Sequence, residues 1–368
     1  MQAQHQVKQV IESLGSSKIE ALGLNSWQLR TLSAIKNCRT PVMGGRIEEC
    51  DACGKRHLFY NSCRNRHCPS CQGHKREQWI QAREAELLPV PYYHVVFTIP
   101  GELNTIALHK PRELYSILFK TAWATLKQFG RTDGLQVGMI GVLHTWGQNL
   151  SLHPHLHCIV PSVGLDEKGK VKKAGKNKKF LYPVKAMSKV FRAKFVAELR
   201  INKLGEQDLY DKLYTKDWVI YAKRPFASPK TVVEYLGRYT HKIAISNYRI
   251  KAITDEHVLF TYKDHKSKGK KKMMRLTLEE FIRRFAQHIL PKRFIRIRHY
   301  GILSSTHKRK KLPDLQKSLG VRCRTDHQGR TLKGTCPSCK KGRLRIILDF
   351  DGRGPPEHAL DGPKNLAC

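Results

Sequence analysis

The chain has 368 residues, with 68 Lys and Arg against 30 Asp and Glu, a formal charge of +38. Its hydrophobic content of 40% excludes a disordered tail protein, and its length admits two or three domains with a substantial core. A surface this basic points to a polyanion, of which nucleic acid is the usual one.

The start, Met1-Gln2-Ala3-Gln4-His5, lacks the basic opening and apolar run of a signal peptide. No stretch approaches the ~18 apolar residues of a membrane span. A cytoplasmic protein with no membrane partner is expected. In that reducing compartment eleven cysteines suggest metal ligands rather than disulfides.

Residues 1–37 read as helical, with Val7, Val10, Ile11 and Leu14 at helical spacing. Residues 38–74 hold the cysteine cluster. Cys50-x2-Cys53 and Cys68-x2-Cys71, with fourteen residues between the pairs, come close to the four-cysteine zinc spacing. Cys38, Cys63, His57, His67 and His74 stand around them, a surplus for one ion that could complete a second. Four thiolates leave no open coordination position, so such a module is structural and DNA-contacting rather than catalytic. Ordinary buried thiols are the plain alternative. A polar helix follows over 75–88, stopped by Pro89 and Pro91.

Residues 92–99 are strand-like, 112–129 helical, and 137–148 a second strand. The strand at 152–161 carries His153-Pro154-His155-Leu156-His157-Cys158. Alternation points His155, His157 and Ile159 to one face and Leu156, Cys158 and Val160 to the core. Two imidazoles on one strand face can grip a divalent ion with little backbone distortion. The pair needs a third ligand. Gln148 is the first candidate, because it ends the preceding strand and can approach across a hairpin; His144 and His94 stay open. Thiolates are absent from this strand face, so Mg²⁺ or Mn²⁺ suits it better than structural zinc.

Residues 166–179 read as an exposed Lys/Gly-rich loop and 186–204 as a helix. Ser228-Pro229 is a good helix start, and the helix it opens runs to about 240. Tyr235 and Tyr239, four apart, share one side of it, while Val232, Val233 and Leu236 form its apolar face. Arg238, His241 and Lys242 place positive charge beside the phenols, able to lower a phenol pKa or hold a phosphate. An aromatic packing ridge is the plain alternative. A metal to polarise a phosphate and a phenol to attack it would make a DNA-nicking and rejoining site.

Strand-like runs follow at 243–250 and 258–262, then a basic loop at 263–275 and a helix at 277–290. The loops at 168–179 and 263–275, and the run from Lys292 to Arg298, would track a phosphate backbone. The last sixty or so residues are basic and Gly/Pro-rich, expected to be loosely ordered apart from Cys336-Pro337-Ser338-Cys339. That pair, with Cys323 and His327, could form a second zinc knuckle. No internal repeat is visible.

These motifs together resemble the HUH-class two-tyrosine rolling-circle transposases typified by insertion sequence ninety-one. The resemblance rests on Cys50-Asp51-Ala52-Cys53, the run from Asn61 to Gln72, His94 to Pro100, His153 to Val160, Tyr235 to His241, and Phe294 to Gly301. It implies an α+β fold: an HUH endonuclease domain, a central antiparallel sheet flanked by helices, over 91–305. A helical, zinc-binding N-terminal domain over 1–90 would precede it, and a basic tail over 306–368 would follow. It also implies a bacterial, nucleoid-associated protein acting on single-stranded element ends and target DNA. Tyr235 and Tyr239 would be nucleophiles forming a 5′-phosphotyrosine, with Mg²⁺ or Mn²⁺ at His155, His157 and Gln148 and structural Zn²⁺ at the cysteines. No G-x-x-x-x-G-K-[ST] loop is present, so the chain carries no helicase and a host helicase is an open partner. Two rivals remain: a rolling-circle plasmid replication initiator, and a zinc-finger DNA-binding protein with no activity.

Overall fold

The computed structural model describes residues 5–71, 86–175, 181–222, 231–232, 243–264, 267, 269–320, 335–356 and 359. The first part of the chain forms α1 (Val7–Leu14), α2 (Ser16–Glu20), α3 (Ser26–Lys36), β1 (Gly45–Cys50) and β2 (Arg56–Tyr60). Next come β3 (Tyr92–Thr98), α4 (Asn104–His109), α5 (Pro111–Thr132), β4 (Gly138–Trp146), β5 (Leu152–Pro161), β6 (Val163–Leu165) and β7 (Val171–Lys173). Then follow α6 (Val184–Ile201), α7 (Gln207–Tyr214), β8 (Ile220–Ala222), β9 (Ile250–Ile253), β10 (His257–Asp264) and β11 (Lys270–Thr277). Last are α8 (Leu278–Gln287), β12 (Ile297–Gly301), α9 (Ser305–Ser318) and β13 (Leu344–Phe350).

The expected mixed fold on a central antiparallel sheet is present. Five strands run in the order β12-β4-β5-β3-β8, every neighbouring pair antiparallel. One face carries Tyr93, Val95, Phe97, Leu143, Leu156, Cys158 and Val160, all buried in the main core. Helices α5 and α6 cover that face. Leu114, Leu118, Ala122 and Leu126 recur every fourth residue along α5, the spacing that builds one apolar stripe on a helix. Pro111 sits in the first turn of α5, where its missing N–H costs nothing. The opposite face holds the histidines and, further along, Ile140, Ile159 and Tyr92, which cluster with Leu87, Leu88, Val232 and with Leu312 and Leu315 of α9.

A second core joins the N-terminal helices to a later part of the chain. Val7, Val10 and Ile11 of α1 and Leu32 and Ile35 of α3 share one apolar cluster with Phe260, Phe281, Ile282 and Phe285. Helix α3 starts on a capping box between Asn25 and Gln28, and α8 on Thr277, whose hydroxyl accepts from the Glu280 amide. Hydrogen bonds stitch the two parts: the Trp27 indole donates to Leu290 O (3.0 Å) and the Gln28 amide to Ala286 O (3.0 Å).

Three sequence expectations need correction. The basic loop expected at 263–275 is mostly strand: β10 and β11 form a hairpin in which Val258 pairs with Leu276 and Phe260 with Met274. The lysines lie on an edge strand of that sheet, where charge blocks pairing with other chains. The strand expected at 243–250 begins only at Ile250, because Asn247–Arg249 turn in a 3-10 segment. There the Asn247 side chain accepts from the Val7 amide (3.1 Å) and donates to Ser70 Oγ (3.3 Å). The C-terminal region expected to be loosely ordered contains α9 and β13, and β13 pairs with β1 along its length, Gly45 opposite Phe350 and Cys50 opposite Leu344. Its partner lies at the far end of the sequence, beyond the reach of local pattern. The polar helix expected at 75–88 lies largely outside the described residues. Among the described residues no helix is long and apolar enough to cross a membrane.

His288, just past α8, shows how the two cores are tied. Its Nε2 donates to Leu150 O (3.1 Å), which leaves Nδ1 to accept from the Thr145 hydroxyl (3.2 Å). The ring is buried and must be neutral to make both bonds, and burial pulls it down to about 4 from the ordinary value of 6.5. A folded-state value below the unfolded one means that the unfolded chain takes up the proton first. Stability is therefore intact above pH 6.5 and falls as the pH drops toward 4, by about 3 kcal/mol for this group. Denaturant titrations between pH 7 and 4 should show His288→Gln losing less stability with acid than the parent, by about one proton's slope. Equal slopes would mean that His288 does not titrate in this way.

Candidate metal centre and cysteine clusters

The hairpin of β4 and β5 builds the candidate centre. In its register His144 stands directly opposite His155, and Val142 opposite His157. Period-two alternation then puts His144, His155 and His157 on one face, and their ligand nitrogens lie within 4.8 Å of one another. His144 and His157 are buried and His155 half-buried. The aromatic rings crowd accordingly, with centroids 4.5 Å apart for His144 and His157 and 4.9 Å for His155 and His157.

Partners on the far side of two rings fix which nitrogen faces the cluster. His155 Nδ1 donates to the His153 carbonyl at 2.6 Å. His157 Nδ1 lies 2.9 Å from Nε2 of the buried His94, whose ring stacks on it at 5.1 Å. In both rings Nε2 is then the nitrogen that would take an ion, with the Nδ1 contact holding tautomer and orientation. Cys158 points to the opposite face. It is fully buried, and burial pushes its thiol well up, so it is no part of this centre.

The cysteines converge in two groups of four, not in the quartet suggested by the spacing. Cys38, Cys63, Cys68 and Cys71 form one; Cys50, Cys53, Cys336 and Cys339 form the other. Cys50/Cys53 and Cys68/Cys71 therefore do not share a site. The reason is the β1–β2 hairpin: Cys50 ends β1 beside the turn to β2, whereas β2 carries the chain back to Asn61, whose carbonyl meets the Arg39 amide next to Cys38. In the first group, Cys71 Sγ lies 3.5 Å from Cys38 Sγ and 3.6 Å from Cys63 Sγ. Hydrogen bonding among the four thiols holds Cys71 far below the ordinary thiol range and pushes Cys63 and Cys68 above it. His67 is not in either group: its Nε2 accepts from Arg66 (3.3 Å), and burial pushes it well below the ordinary histidine value.

A family model described as "Transposase zinc-binding domain" matches residues 7–99, and one described as "Putative transposase" matches 138–311. The chain is 40% identical to Putative transposase y4qJ of Sinorhizobium fredii over 369 residues, covering 90% of this chain and 92% of that protein. It is 30% identical to Transposase for insertion sequence element IS801 of Pseudomonas savastanoi pv. phaseolicola over 318 residues, covering 82% of this chain and 76% of that protein. The chain belongs to the insertion-sequence-ninety-one-type transposase family. No solved structure matches it.

Other expected site residues of this transposase lie apart from this cluster or outside the described residues. Gln148 lies in the turn after β4, and its backbone carbonyl accepts from Arg249. His144 is the third imidazole beside His155 and His157. Tyr235, Tyr239, Arg238, His241 and Lys242 lie outside the described residues, as do His74, Cys323 and His327. Thr231 and Val232, just before the tyrosines, are helical, and Val232 is fully buried in the cluster that contains Ile140 and Ile159. Sequence reading missed Arg249 as an anchor of the hairpin tip. It donates to Thr261 O (2.7 Å) as well as to the Gln148 carbonyl and lies over the Phe260 ring, a long-range role that no local pattern announces.

The first cysteine quartet makes a direct expectation. Replacing Cys68 with serine should remove one zinc ion per chain and unfold the 38–71 segment, since ligand binding in such sites is folding free energy. Elemental analysis and circular dichroism of the variant check this, and an unchanged zinc content would exclude Cys68 as a ligand.

Proposed function

We propose that this transposase cuts and rejoins single-stranded DNA by tyrosine transesterification, with the triad of His144, His155 and His157 holding a divalent ion beside the scissile phosphate. The convergence of those three imidazoles on one sheet face is the observation that carries the reading. The donor set fits a transition ion better than a hard one: three imidazoles favour Mn²⁺ over Mg²⁺. When bound, the ion would supply Lewis acidity to a phosphate oxygen.

The chain's own residues would do the rest. A phenol oxygen of Tyr235 or Tyr239 gives up its proton and attacks phosphorus; an O–P bond forms, the bond to the 3′ oxygen breaks, and that oxygen takes up a proton to leave as a 3′-hydroxyl, so one proton is released and one consumed. The product is a 5′-phosphotyrosine. Its phosphoester energy is kept, so a second 3′-hydroxyl can reverse the step and rejoin the strand without ATP. The place of Val232 supports this assignment. It is packed with Ile140 and Ile159 on the histidine side of the sheet, and Tyr235 is three residues on, within about 11 Å of extended chain. Arg238, His241 and Lys242 follow in the same stretch and would hold the phosphate. His94 acts as a positioning residue, through its bond to His157. The net charge of +38 supplies most of the affinity by neutralising phosphates, and with it an expected place on the nucleoid.

Two experiments test the reading. With labelled single-stranded element ends and Mn²⁺, His144→Ala and His155→Ala should abolish cleavage with DNA affinity nearly intact, while Gln148→Ala should cleave. Loss of cleavage in Gln148→Ala but not in His144→Ala would move the third ligand to Gln148. In covalent-trapping gels, Tyr235→Phe or Tyr239→Phe should each retain some single cleavage but impair complete strand transfer, and the double variant should form no adduct. An adduct surviving in the double variant would mean that the nucleophile lies elsewhere.

A further inference from the structure

We propose that Cys50, Cys53, Cys336 and Cys339 form a second tetrathiolate zinc site, a clasp that fastens the C-terminal segment of the transposase to its N-terminal zinc-binding domain. The four sulfurs lie within 4.8 Å of one another, Cys50 Sγ 3.7 Å from Cys339 Sγ and Cys53 Sγ 3.8 Å from Cys336 Sγ. A tetrahedral ion with Zn–S bonds of ~2.3 Å sets its sulfurs roughly 3.8 Å apart. A disulfide would need ~2.05 Å. The observed spacing is that of ligands around an ion.

Each pair sits on a tight knuckle. The residue after the second cysteine adopts a left-handed backbone in both: Gly54 with φ 65° and Lys340 with φ 59°. Amides point at the sulfurs, Ala52 N to Cys50 Sγ (3.5 Å) and Gly342 N to Cys339 Sγ (3.4 Å), as thiolates require. The knuckles are also built to meet. Asp51 N donates to Arg343 O (3.0 Å), and Arg343 N returns the bond to Asp51 Oδ1 (2.7 Å). Gly342 makes the approach possible, because a Cβ there would collide with Cys50 Sγ and lie 2.6 Å from Ala52 Cβ. From this contact β13 runs back along β1, so that β13-β1-β2 is one sheet made from both ends of the sequence.

Burial does not account for the whole quartet. Cys50 and Cys336 are buried, but Cys53 is exposed and Cys339 only half-buried, so those two thiols are not filling a core. Lys55, Arg56, Lys340, Lys341 and Arg343 flank the knuckles in sequence and offset the double negative charge of a zinc tetrathiolate. The zinc-binding family match stops at residue 99, so Cys336 and Cys339 lie outside it. The class of ligand is a borderline-soft ion that takes four thiolates, and Zn²⁺ fits.

Native mass spectrometry of the full-length protein tests the clasp. The parent should carry two zinc ions per chain. Cys336→Ser/Cys339→Ser should carry one, Cys50→Ser/Cys53→Ser should carry one, and the quadruple variant should still carry one, because all four residues serve the same ion. A C-terminal double variant that keeps both ions, or a quadruple variant that loses both while each double loses one, would overturn the proposal. A second measurement needs no variant. In the zinc-loaded parent, N-ethylmaleimide mapping should find Cys336 and Cys339 as protected as Cys50 and Cys53, with all four becoming reactive together when a chelator withdraws one ion. Rapid modification of Cys336 and Cys339 in the zinc-loaded chain would sink it.

Discussion

The pairing of β4 with β5 is the constraint on which the candidate centre depends. Because side chains alternate, one register step would send His144 to the core and Leu143 to the histidine face. Nothing at the metal centre itself could enforce the register, since imidazoles are paired to it only after the strands have met. The apolar side does so: Leu143, Leu156, Cys158 and Val160 are all fully buried against α5 and α6. Slipping by one residue would take those four out of the core and put histidines in their place, a cost of several kcal/mol at ~2 kcal/mol per aliphatic side chain. Hydrophobic burial on one face thus sets geometry for chemistry on the other.

The zinc-binding module bears on the same hairpin from its tip. Cys38, Cys68 and Cys71 belong to one apolar cluster with Trp146, the last residue of β4, and Leu150, in the turn that follows. Arg66, between Cys63 and Cys68, donates to Phe294 O and to Pro291 O (3.1 Å), just ahead of β12 at the edge of the central sheet. His288 clamps Leu150 and Thr145 from the α8 side. A cysteine cluster, a half-buried arginine and a neutral histidine therefore hold the end of β4 where the histidines begin. The module's position makes it a brace for the candidate centre.

What the sequence made legible follows from the range of the forces involved. The faces of β5 could be read from Leu152–Pro161 alone, because period-two alternation is local. So could α5, where Pro111 and a regular apolar stripe mark start and face. The cysteine grouping could not. Cys50-x2-Cys53 and Cys68-x2-Cys71 have a plausible spacing as a single set, and only the fold shows Cys38 and Cys63 beside one pair and the C-terminal cysteines beside the other. The sequence left Gln148, His144 and His94 open beside the histidine pair, and it is the fold that brings His144 together with them. A bulge between His144 and Trp146 shifts the register near the hairpin end, which counting residues to the turn does not reveal. The second strand of the hairpin at 257–277 was concealed by its lysines, which read as a solvated loop although Val258 and Phe260 of its partner strand hold the pair on the second core.

The clasp brings together sulfurs 289 residues apart, and the entropy of that closure is smaller than the separation suggests. Loop closure scales as about (3/2)RT ln n, so a loop this long costs roughly 2.6 kcal/mol more than one of about 15 residues. Structural zinc in small domains contributes about 10–16 kcal/mol near neutral pH, which exceeds that difference several-fold. Much of the intervening chain is also ordered by its own cores, which shortens the effective loop further. The constraint is kinetic rather than thermodynamic. Cys50 and Cys53 precede Cys336 and Cys339 by nearly the whole chain, so during synthesis the N-terminal pair must wait for its partners, whereas Cys38, Cys63, Cys68 and Cys71 are complete within the first 71 residues. The first quartet can fold early and organise the second core. The second can close only once residues 336–339 have been synthesised, later than the whole of the β4–β5 hairpin.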